Sequence, residues 1–342
     1  MHKFFVSFIF IFSLFPFCIL AETKDSADLL TIWQIWKVKH NKFYSSSEET
    51  LRYSIFLDNY NRVQSFNSKN NLTRLAVNKF ADKTAEEFRF EFTNSASFSE
   101  TNPSIIKNNT VHYSMAPGEY LPTSVDWRNV GAVTKVKDQL CSTVCCLSDW
   151  AFSTTGLLEA FYFINNGTLL SFSEQQLVDC DKNSNACKGG SVSSALSYVA
   201  ANGIELESDY PVTGGQGKCQ YHEKKATFVS SGYQFLTPND TDQLKLAVIK
   251  MPISVMVEAD QDIFRFYSSG VIYWNCGPFI NHSVLIIGFQ KMGVLEAFIV
   301  KNSWGTHWGD SGYVYISTNQ KINDGSGVCG ILKQPIIPLM IS

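Results

Sequence analysis

The sequence predicts an α+β protein, because its helix-forming segments come first and its strand-forming segments come last. Residues 22–92 have a helical composition and contain no cysteine. A further helix is predicted from Trp150 to Asn165, where Gly167 closes the pattern. From Ile253 onward, β-branched and aromatic residues alternate with other residues, which indicates strands.

The N-terminus has the pattern of a secretory signal peptide. Met1, His2 and Lys3 precede an apolar run from Phe4 to Leu20, and the small residue Ala21 closes it. A membrane anchor is the alternative, but the run is short, contains a proline and has no basic stop-transfer flank after it. We therefore expect residues 1–21 to be removed and the protein to enter the secretory pathway, towards the lysosome, the vacuole or the extracellular space.

Composition excludes several classes of protein. The chain has 342 residues, of which 45% are hydrophobic and 17% charged, so it can bury a sizeable core. Its formal net charge is only -3, and no basic cluster favours nucleic acid or an acidic membrane surface as a partner. Nine cysteines in a secreted chain indicate disulfides, and their spacing does not match a zinc site. We expect no metal and no cofactor.

A stripe of residues before position 70 predicts an amphipathic helix. Its members recur at steps of three or four: Glu48, Arg52, Phe56, Asn59, Val63 and Asn67. Within it, Glu48 and Arg52 can form an i, i+4 ion pair. The Ser- and Asn-rich segment Asn94–Asn109 that follows has little to bury and is predicted to be an exposed linker.

Five motifs in the rest of the chain resemble those of papain and the cathepsin L-like cysteine peptidases. They are LPTSVDWRNVGAV (Leu121–Val133), SEQQLVDC (Ser173–Cys180), CKGG (Cys187–Gly190), NHSVLIIGF (Asn281–Phe289) and KNSWGTHWGDSGYVYI (Lys301–Ile316). Upstream, the helical stripe and AVNKFAD (Ala76–Asp82) resemble the two signatures of that family's pro-region. The resemblance extends over essentially the whole chain.

This resemblance implies a two-domain papain-like fold preceded by a helical inhibitory pro-region. Residues 22–120 would form the pro-region and linker, and residues 121–342 the peptidase domain. A helical left domain would begin with the Asp149 helix, and a β-rich right domain would carry His282 and Asn302. The pro-region would cover the cleft between them, with an extended stretch after Phe88 running through it.

The family's chemistry needs a thiolate nucleophile, an imidazole base, a group that orients the imidazole, and donors for the oxyanion. By resemblance, His282 is the base, Asn302 orients it, and Gln139 stabilises the oxyanion. Trp304 would shield the hydrogen bond between His282 and Asn302 from water.

The nucleophile segment departs from the family pattern by four added residues between Gln139 and Trp150. Counting back from Trp150 places Asp149 at the nucleophile position, whereas counting forward from Gln139 places Cys145 there. We favour Asp149, because the helix must pack its first turn into the core. Cys145 would serve only if the helix gained one N-terminal turn, ~6 Å along its axis. A third explanation is an error in the sequence or splice model at residues 140–149.

Asp149 suits a helix N-terminus electrostatically, either as a plain N-cap or as a partner that holds His282 as an imidazolium. A carboxylate is a poor nucleophile towards an amide, and a longer loop would misplace Gln139. We therefore predict a papain-like endopeptidase-family protein that is catalytically impaired. The alternatives are an active cysteine endopeptidase that uses Cys145 with His282 and Asn302, or a non-catalytic homologue that binds peptides or inhibitors.

The resemblance also implies three disulfides, Cys146–Cys187, Cys180–Cys219 and Cys276–Cys329, with Cys141 and Cys145 left to pair or stay free. It implies that the substrate-binding residues are Gly189, Gly190, Ser191, Val192, Met256, Ser283 and Gln334. The expected partners are peptide or protein substrates, the chain's own pro-region and protein inhibitors. Glycosylation sequons are present at Asn71, Asn108, Asn166 and Asn239, and a further one at Asn281 is expected to be buried and unused.

Overall fold

The computed structural model describes residues 17–93, 109–115, 118, 120–139, 146–227 and 229–340. The chain divides into two compact units, Met1–Asp58 and Asn59–Ser342. Cys141, Cys145, Asn108 and most of the predicted signal peptide and linker lie outside the described residues. Within the described part, no helix combines the length and the apolar character that a membrane span requires.

The first unit consists of helix α1 (Phe17–Lys39) and the first half of helix α2 (Ser46–Lys69). Its centre is aromatic, because the ring of Trp33 stacks on Trp36 at 5.2 Å and contacts Phe56 at 5.1 Å. On α2, Arg52 donates to Glu48 at 3.0 Å, which confirms the predicted i, i+4 pair.

The second unit begins with the end of α2, strand β1 (Thr73–Leu75) and helix α3 (Ala85–Phe92). A capping box starts α3, since Thr84 accepts a hydrogen bond from the Glu87 amide while the Glu87 side chain accepts one from the Thr84 amide. Helix α3 continues past Phe88 to Phe92, so the first turn after Phe88 is helical, and the rest of the stretch expected to be extended, from residue 94, lies outside the described residues. Phe88 and Phe92 are both buried, which extends the apolar face by one turn.

Strand β1 pairs antiparallel with a later strand, β6 (Tyr267–Gly270). The two backbones approach so closely at Gly270 that an added Cβ would lie 2.1 Å from the carbonyl oxygen of Leu72. Gly270 also has a φ of 82°, which side-chain-bearing residues rarely adopt. Glycine at this position therefore permits the pairing of β1 with β6.

The helical part of the peptidase region is built on α4 (Asp149–Asn166), with α5 (Glu174–Cys180) and α6 (Val192–Asn202) packed against it. Ser148 is the N-cap residue of α4, so Asp149 is its first helical residue rather than its cap. Gly167 ends the helix with a φ of 73°, as the sequence predicts. Two short helices, α7 (Thr241–Val248) and α8 (Asp262–Arg265), lie in the strand-rich part.

The strands of the peptidase region, together with β2 from the segment before residue 121, form a mainly antiparallel sheet in the order β2-β4-β10-β5-β7-β8-β9, with β3 also paired to β7. Their bounds are β2 Thr110–Val111, β3 Val125–Asp126, β4 Tyr233–Leu236, β5 Ile253–Val257, β7 His282–Met292, β8 Leu295–Lys301, β9 Tyr313–Ser317 and β10 Ile336–Pro338. The predicted alternation is weaker than expected in β5 and in the first eight residues of β7, which are buried on both faces apart from the half-buried Met256. One reason is that α4 packs against β7.

Three disulfides join Cys146 to Cys187, Cys180 to Cys219, and Cys276 to Cys329. These are the three pairs that the family resemblance implies. The first holds the segment before α4 against the segment before α6, where the Leu147 amide also donates to the Cys187 carbonyl at 3.0 Å. The start of α4 is thereby held in place on its N-terminal side.

Candidate active site

The first residue of α4 meets the first residue of β7. Asp149 Oδ2 lies 3.6 Å from His282 Nδ1, and both side chains are fully buried. Strand pairing holds His282 in place, because it lies opposite Val257 of β5. The structure therefore places Asp149, the residue found by counting back from Trp150, in front of the imidazole.

The other ring nitrogen of His282 contacts the predicted orienting residue. His282 Nε2 lies 2.8 Å from Asn302 Oδ1, and the same oxygen accepts a hydrogen bond from the Ser303 amide at 2.8 Å. Because an amide oxygen can only accept, Nε2 carries the proton, and in the neutral ring Nδ1 faces Asp149 as an acceptor. The Trp304 ring covers this arrangement, with its centroid 4.6 Å from that of His282.

The Asp149 carboxylate has two unlike oxygens. Oδ2 accepts a hydrogen bond from the Ser283 amide at 2.6 Å, whereas Oδ1 is buried without a partner among the described residues. Burial raises the pKa of Asp149, and the charge of His282 opposes this shift. Burial likewise lowers the pKa of His282, against the attraction of Asp149. Both shifts favour the neutral forms and so oppose the carboxylate–imidazolium pair that the sequence suggests.

Gln139 is anchored next to Asn302. Its backbone amide donates to the Ser303 carbonyl at 2.8 Å, and its side-chain oxygen accepts from the Ser303 hydroxyl at 2.5 Å. Its side-chain nitrogen is buried and has no partner within the described ranges, so it retains a free donor. The added residues after it, including Cys145, lie outside the described residues.

The predicted substrate-binding residues occupy three places. Met256 of β5 lies opposite Ser283 of β7, whose amide contacts Asp149. Gln334 lines a groove of about 710 Å³ together with Asn281, the residue before His282. The remaining four precede or begin α6: Gly189, Gly190, Ser191 and Val192.

Residues of the predicted pro-region cover the site. The rings of Phe80 and Phe88 pack edge-on against Trp304, at 5.2 and 5.6 Å between centroids. The Trp304 ring in turn lies over His282 at a tilt of 31°. The pro-region rings thus add a second aromatic layer over the one that Trp304 forms on the imidazole.

Sequence reasoning missed a charged cluster below the site. Lys137 Nζ lies 2.7 Å from Glu174 and 3.0 Å from Glu159, and a cavity of about 20 Å³ next to them reaches Asn302. That volume holds one water molecule. Burial raises the pKa of Glu174 to about 7 and lowers that of Lys301 to about 8. The charged residues inside the motifs SEQQLVDC and KNSWG were the available signal.

Among the described residues, no cluster of three or more His, Cys, Asp or Glu side chains could hold a metal ion.

Comparison with known proteins agrees with this geometry. Residues 121–339 match the family described as papain family cysteine protease, and residues 33–88 match the cathepsin propeptide inhibitor domain. The senescence-specific cysteine protease of Arabidopsis thaliana is 38% identical over 341 residues, covering 97% of this chain and 96% of that protein. Caricain of Carica papaya is 38% identical over 323 residues, covering 93% and 89%.

Among solved structures, a recombinant stem bromelain precursor superposes with a TM-score of 0.82 at 32% identity. It covers 92% of this chain and 100% of its own. Similarity of this extent, in the pro-region as well as in the peptidase region, shows that the chain belongs to the papain family of cysteine proteases.

Proposed function

We propose that this protein is a papain-like peptidase precursor whose cleft accepts peptides but is catalytically impaired, because Asp149 occupies the nucleophile position. The observation that carries the proposal is the 3.6 Å contact between Asp149 Oδ2 and His282 Nδ1. In the Cys/His/Asn mechanism a thiolate belongs in front of the imidazole. Here the facing group is the carboxyl group of Asp149.

The chemistry of acyl transfer explains the impairment. If Asp149 attacked a peptide carbonyl, the tetrahedral intermediate could expel either the amine or the carboxylate. The carboxylate is the far better leaving group, so the intermediate returns to the intact peptide. The base and its orienting amide remain in place, since His282 still contacts Asn302 at 2.8 Å. The proposed defect is therefore confined to the nucleophile and to the loop that follows Gln139.

The pro-region acts as an autoinhibitor in this proposal. Phe80 and Phe88 on Trp304, together with the pairing of β1 with β6, support that role. The expected ligands of the cleft are peptide segments of protein substrates, and protein inhibitors of the family are further expected partners.

A secretory route is also proposed, towards the lysosome, the vacuole or the extracellular space. The three disulfides suit an oxidising compartment. Asn71, Asn166 and Asn239 are exposed and suit glycosylation, whereas Asn281 is buried and its side-chain oxygen accepts from the Ala259 amide. Treatment with an endoglycosidase should therefore reduce the mass of the secreted protein, and Asn281→Gln should leave that change in mass unaltered.

The proposed impairment is tested by restoring the thiol. A cleavage site for an unrelated sequence-specific protease, placed in residues 94–108, releases the pro-region without a papain-like activator. The processed protein should hydrolyse no fluorogenic peptide and bind no thiol-directed epoxide at the site. Asp149→Cys should restore labelling with partial turnover, and removing four residues from 140–145 as well should restore more. Asp149→Asn is the matched control and should remain inert.

The opposite result is equally clear. If the unaltered protein reacts stoichiometrically with the epoxide and Cys145→Ala abolishes the label, Cys145 is the nucleophile and the protein is an active cysteine endopeptidase. A transcript that encodes a shorter segment ending in cysteine before Trp150 would also overturn the proposal.

A further inference from the structure

A large groove next to the candidate active site is lined by two buried carboxylates. Its volume is about 710 Å³, and its walls include Glu258, Asp260, Gln261 and Asn281. Asn281 immediately precedes His282 in the sequence. The groove therefore reaches the chain segment directly before His282, and it also includes Gln334, one of the predicted substrate-binding residues.

Asp260 is only 9% exposed, yet its carboxylate is incompletely satisfied. Oδ2 accepts a charge-assisted bond from Arg89 Nε at 2.5 Å, whereas Oδ1 is buried and has no partner within the part of the chain described. A buried carboxylate oxygen without a donor is costly. A guanidinium can donate to both oxygens of a carboxylate through two parallel N–H groups. Asp260 Oδ1 is therefore still able to accept a hydrogen bond from a cation.

The two partners of this ion pair belong to different parts of the chain. Asp260 follows β5 in the peptidase region, with a side-chain exposure of 6%, whereas Arg89 lies on α3 of the pro-region, with a side-chain exposure of 61%. The Asp260 carboxylate therefore stays with the peptidase region after processing. The donor is a mostly exposed side chain that leaves when the pro-region is released.

The remaining charges of the groove favour a cation. Glu258 is 3% exposed, and its oxygens accept from the Gln261 side chain at 2.7 Å and the Phe279 amide at 3.0 Å. Lys333 also lines the groove, where its ammonium group donates to the Pro278 carbonyl at 2.9 Å. Without Arg89, two carboxylates face one ammonium group, which leaves the groove net negative.

We propose that this groove is a binding site for the arginine or lysine side chain of a peptide held in the cleft. In the precursor, Arg89 occupies the site as an internal stand-in for that side chain. The inference rests on the proposed function in treating the cleft as a peptide-binding site. It is independent of the chemistry of Asp149, and its test uses no catalytic readout.

The test refills the site in the full-length protein. Arg89→Ala removes the guanidinium, and ethylguanidinium supplies the atoms that the substitution deletes. At about ten times its Kd, ethylguanidinium should raise the Tm of Arg89→Ala by about 2 °C and leave the unaltered protein unchanged. Ethylurea, which has a similar shape but no charge, should have no effect.

Two further variants make the result specific. Arg62→Ala removes a pro-region arginine that pairs with Asp262 at 2.8 Å outside this groove, and it should not respond to ethylguanidinium. Adding Asp260→Asn to Arg89→Ala should abolish the response. A response that persists without the Asp260 carboxylate, equals that of Arg62→Ala, or is reproduced by ethylurea would overturn the proposal.

If Arg89→Ala does not fold, two milder substitutions decide the question. Arg89→Lys keeps a cation beside Asp260, so its Tm should stay close to that of the unaltered protein. Arg89→Gln removes the cation, so its Tm should be clearly lower. Equal Tm values for the lysine and glutamine variants would show that the site does not recognise charge, and would count against the proposal.

Discussion

Replacing Phe88 with alanine should release the pro-region from the active site. Phe88 is fully buried on α3, where its ring contacts Phe80 at 4.9 Å, Phe92 at 5.2 Å and Trp304 at 5.6 Å. The guanidinium of Arg265 lies 5.2 Å from the same ring. Deleting a phenylalanine from such a core costs about 3–5 kcal/mol. The contacts with Trp304 and Arg265 join α3 to the peptidase region, and those with Phe80 and Phe92 hold the pro-region in the shape that docks, so the loss weakens pro-region docking.

The same helix provides a matched control. Phe90 lies two residues further on and is 83% exposed, so Phe90→Ala should change stability by less than about 0.5 kcal/mol. A docking loss of about 3–4 kcal/mol corresponds to a roughly 10²–10³-fold rise in the undocked population.

The assay is amide hydrogen exchange of residues 85–93 in the full-length protein, together with guanidinium unfolding followed by tryptophan fluorescence. Exchange in α3 should rise by that factor in Phe88→Ala and stay unchanged in Phe90→Ala. Equal exchange in the two variants, or a loss of stability below about 1 kcal/mol for Phe88→Ala, would refute the idea that this aromatic contact holds the pro-region over the site.

Two further predictions concern the body of the peptidase region. Burial raises the pKa of Glu174 from 4.5 to about 7, so the folded chain binds this proton more tightly than the unfolded chain and stability falls as pH rises from about 4.5 to about 7. Glu174→Gln should remove about 3 kcal/mol of this pH-dependent loss of stability, which is measured as Tm against pH. Parallel profiles of Tm against pH for the two proteins would contradict the prediction. Gly190→Ala should destabilise the fold by several kcal/mol, since its Cβ would lie 2.5 Å from the Trp150 ring and 2.7 Å from the Ser184 hydroxyl oxygen. Gly215→Ala, whose Cβ meets nothing within 4 Å, is the control in urea unfolding, and equal midpoints would argue against the steric reason.

The sequence predicted the helical elements better than the strands. Steps of three and four residues mark α2, and Gly167 marks the end of α4, because helix periodicity and caps are local properties of the chain. The alternation expected in β5 and β7 was only partly present. Burial of a strand on both faces depends on which elements pack above and below it, and neighbouring residues carry little information about that.

For the candidate site, counting residues along the chain was informative. Counting from Trp150 placed Asp149 at the start of α4, and the structure puts its carboxylate 3.6 Å from His282. The catalytic roles of these residues remain predictions for the restored-thiol experiment. The ion pairs escaped sequence reasoning, because Arg89 and Asp260 are 171 positions apart and an isolated charge has no periodic signal.

By itself the sequence determined the family, the placement of helices before strands and, by resemblance, the three disulfide pairs, and it favoured Asp149 over Cys145 as the residue facing the imidazole. The motifs that carry this information are each short local runs of residues. Only the tertiary structure decided how completely Asp149 and His282 are buried, and therefore the direction of their pKa shifts. It also decided which pro-region cation meets the buried Asp260. The physical reason is that desolvation and ion pairing depend on every group packed around a charge, and folding brings those groups together from distant parts of the chain.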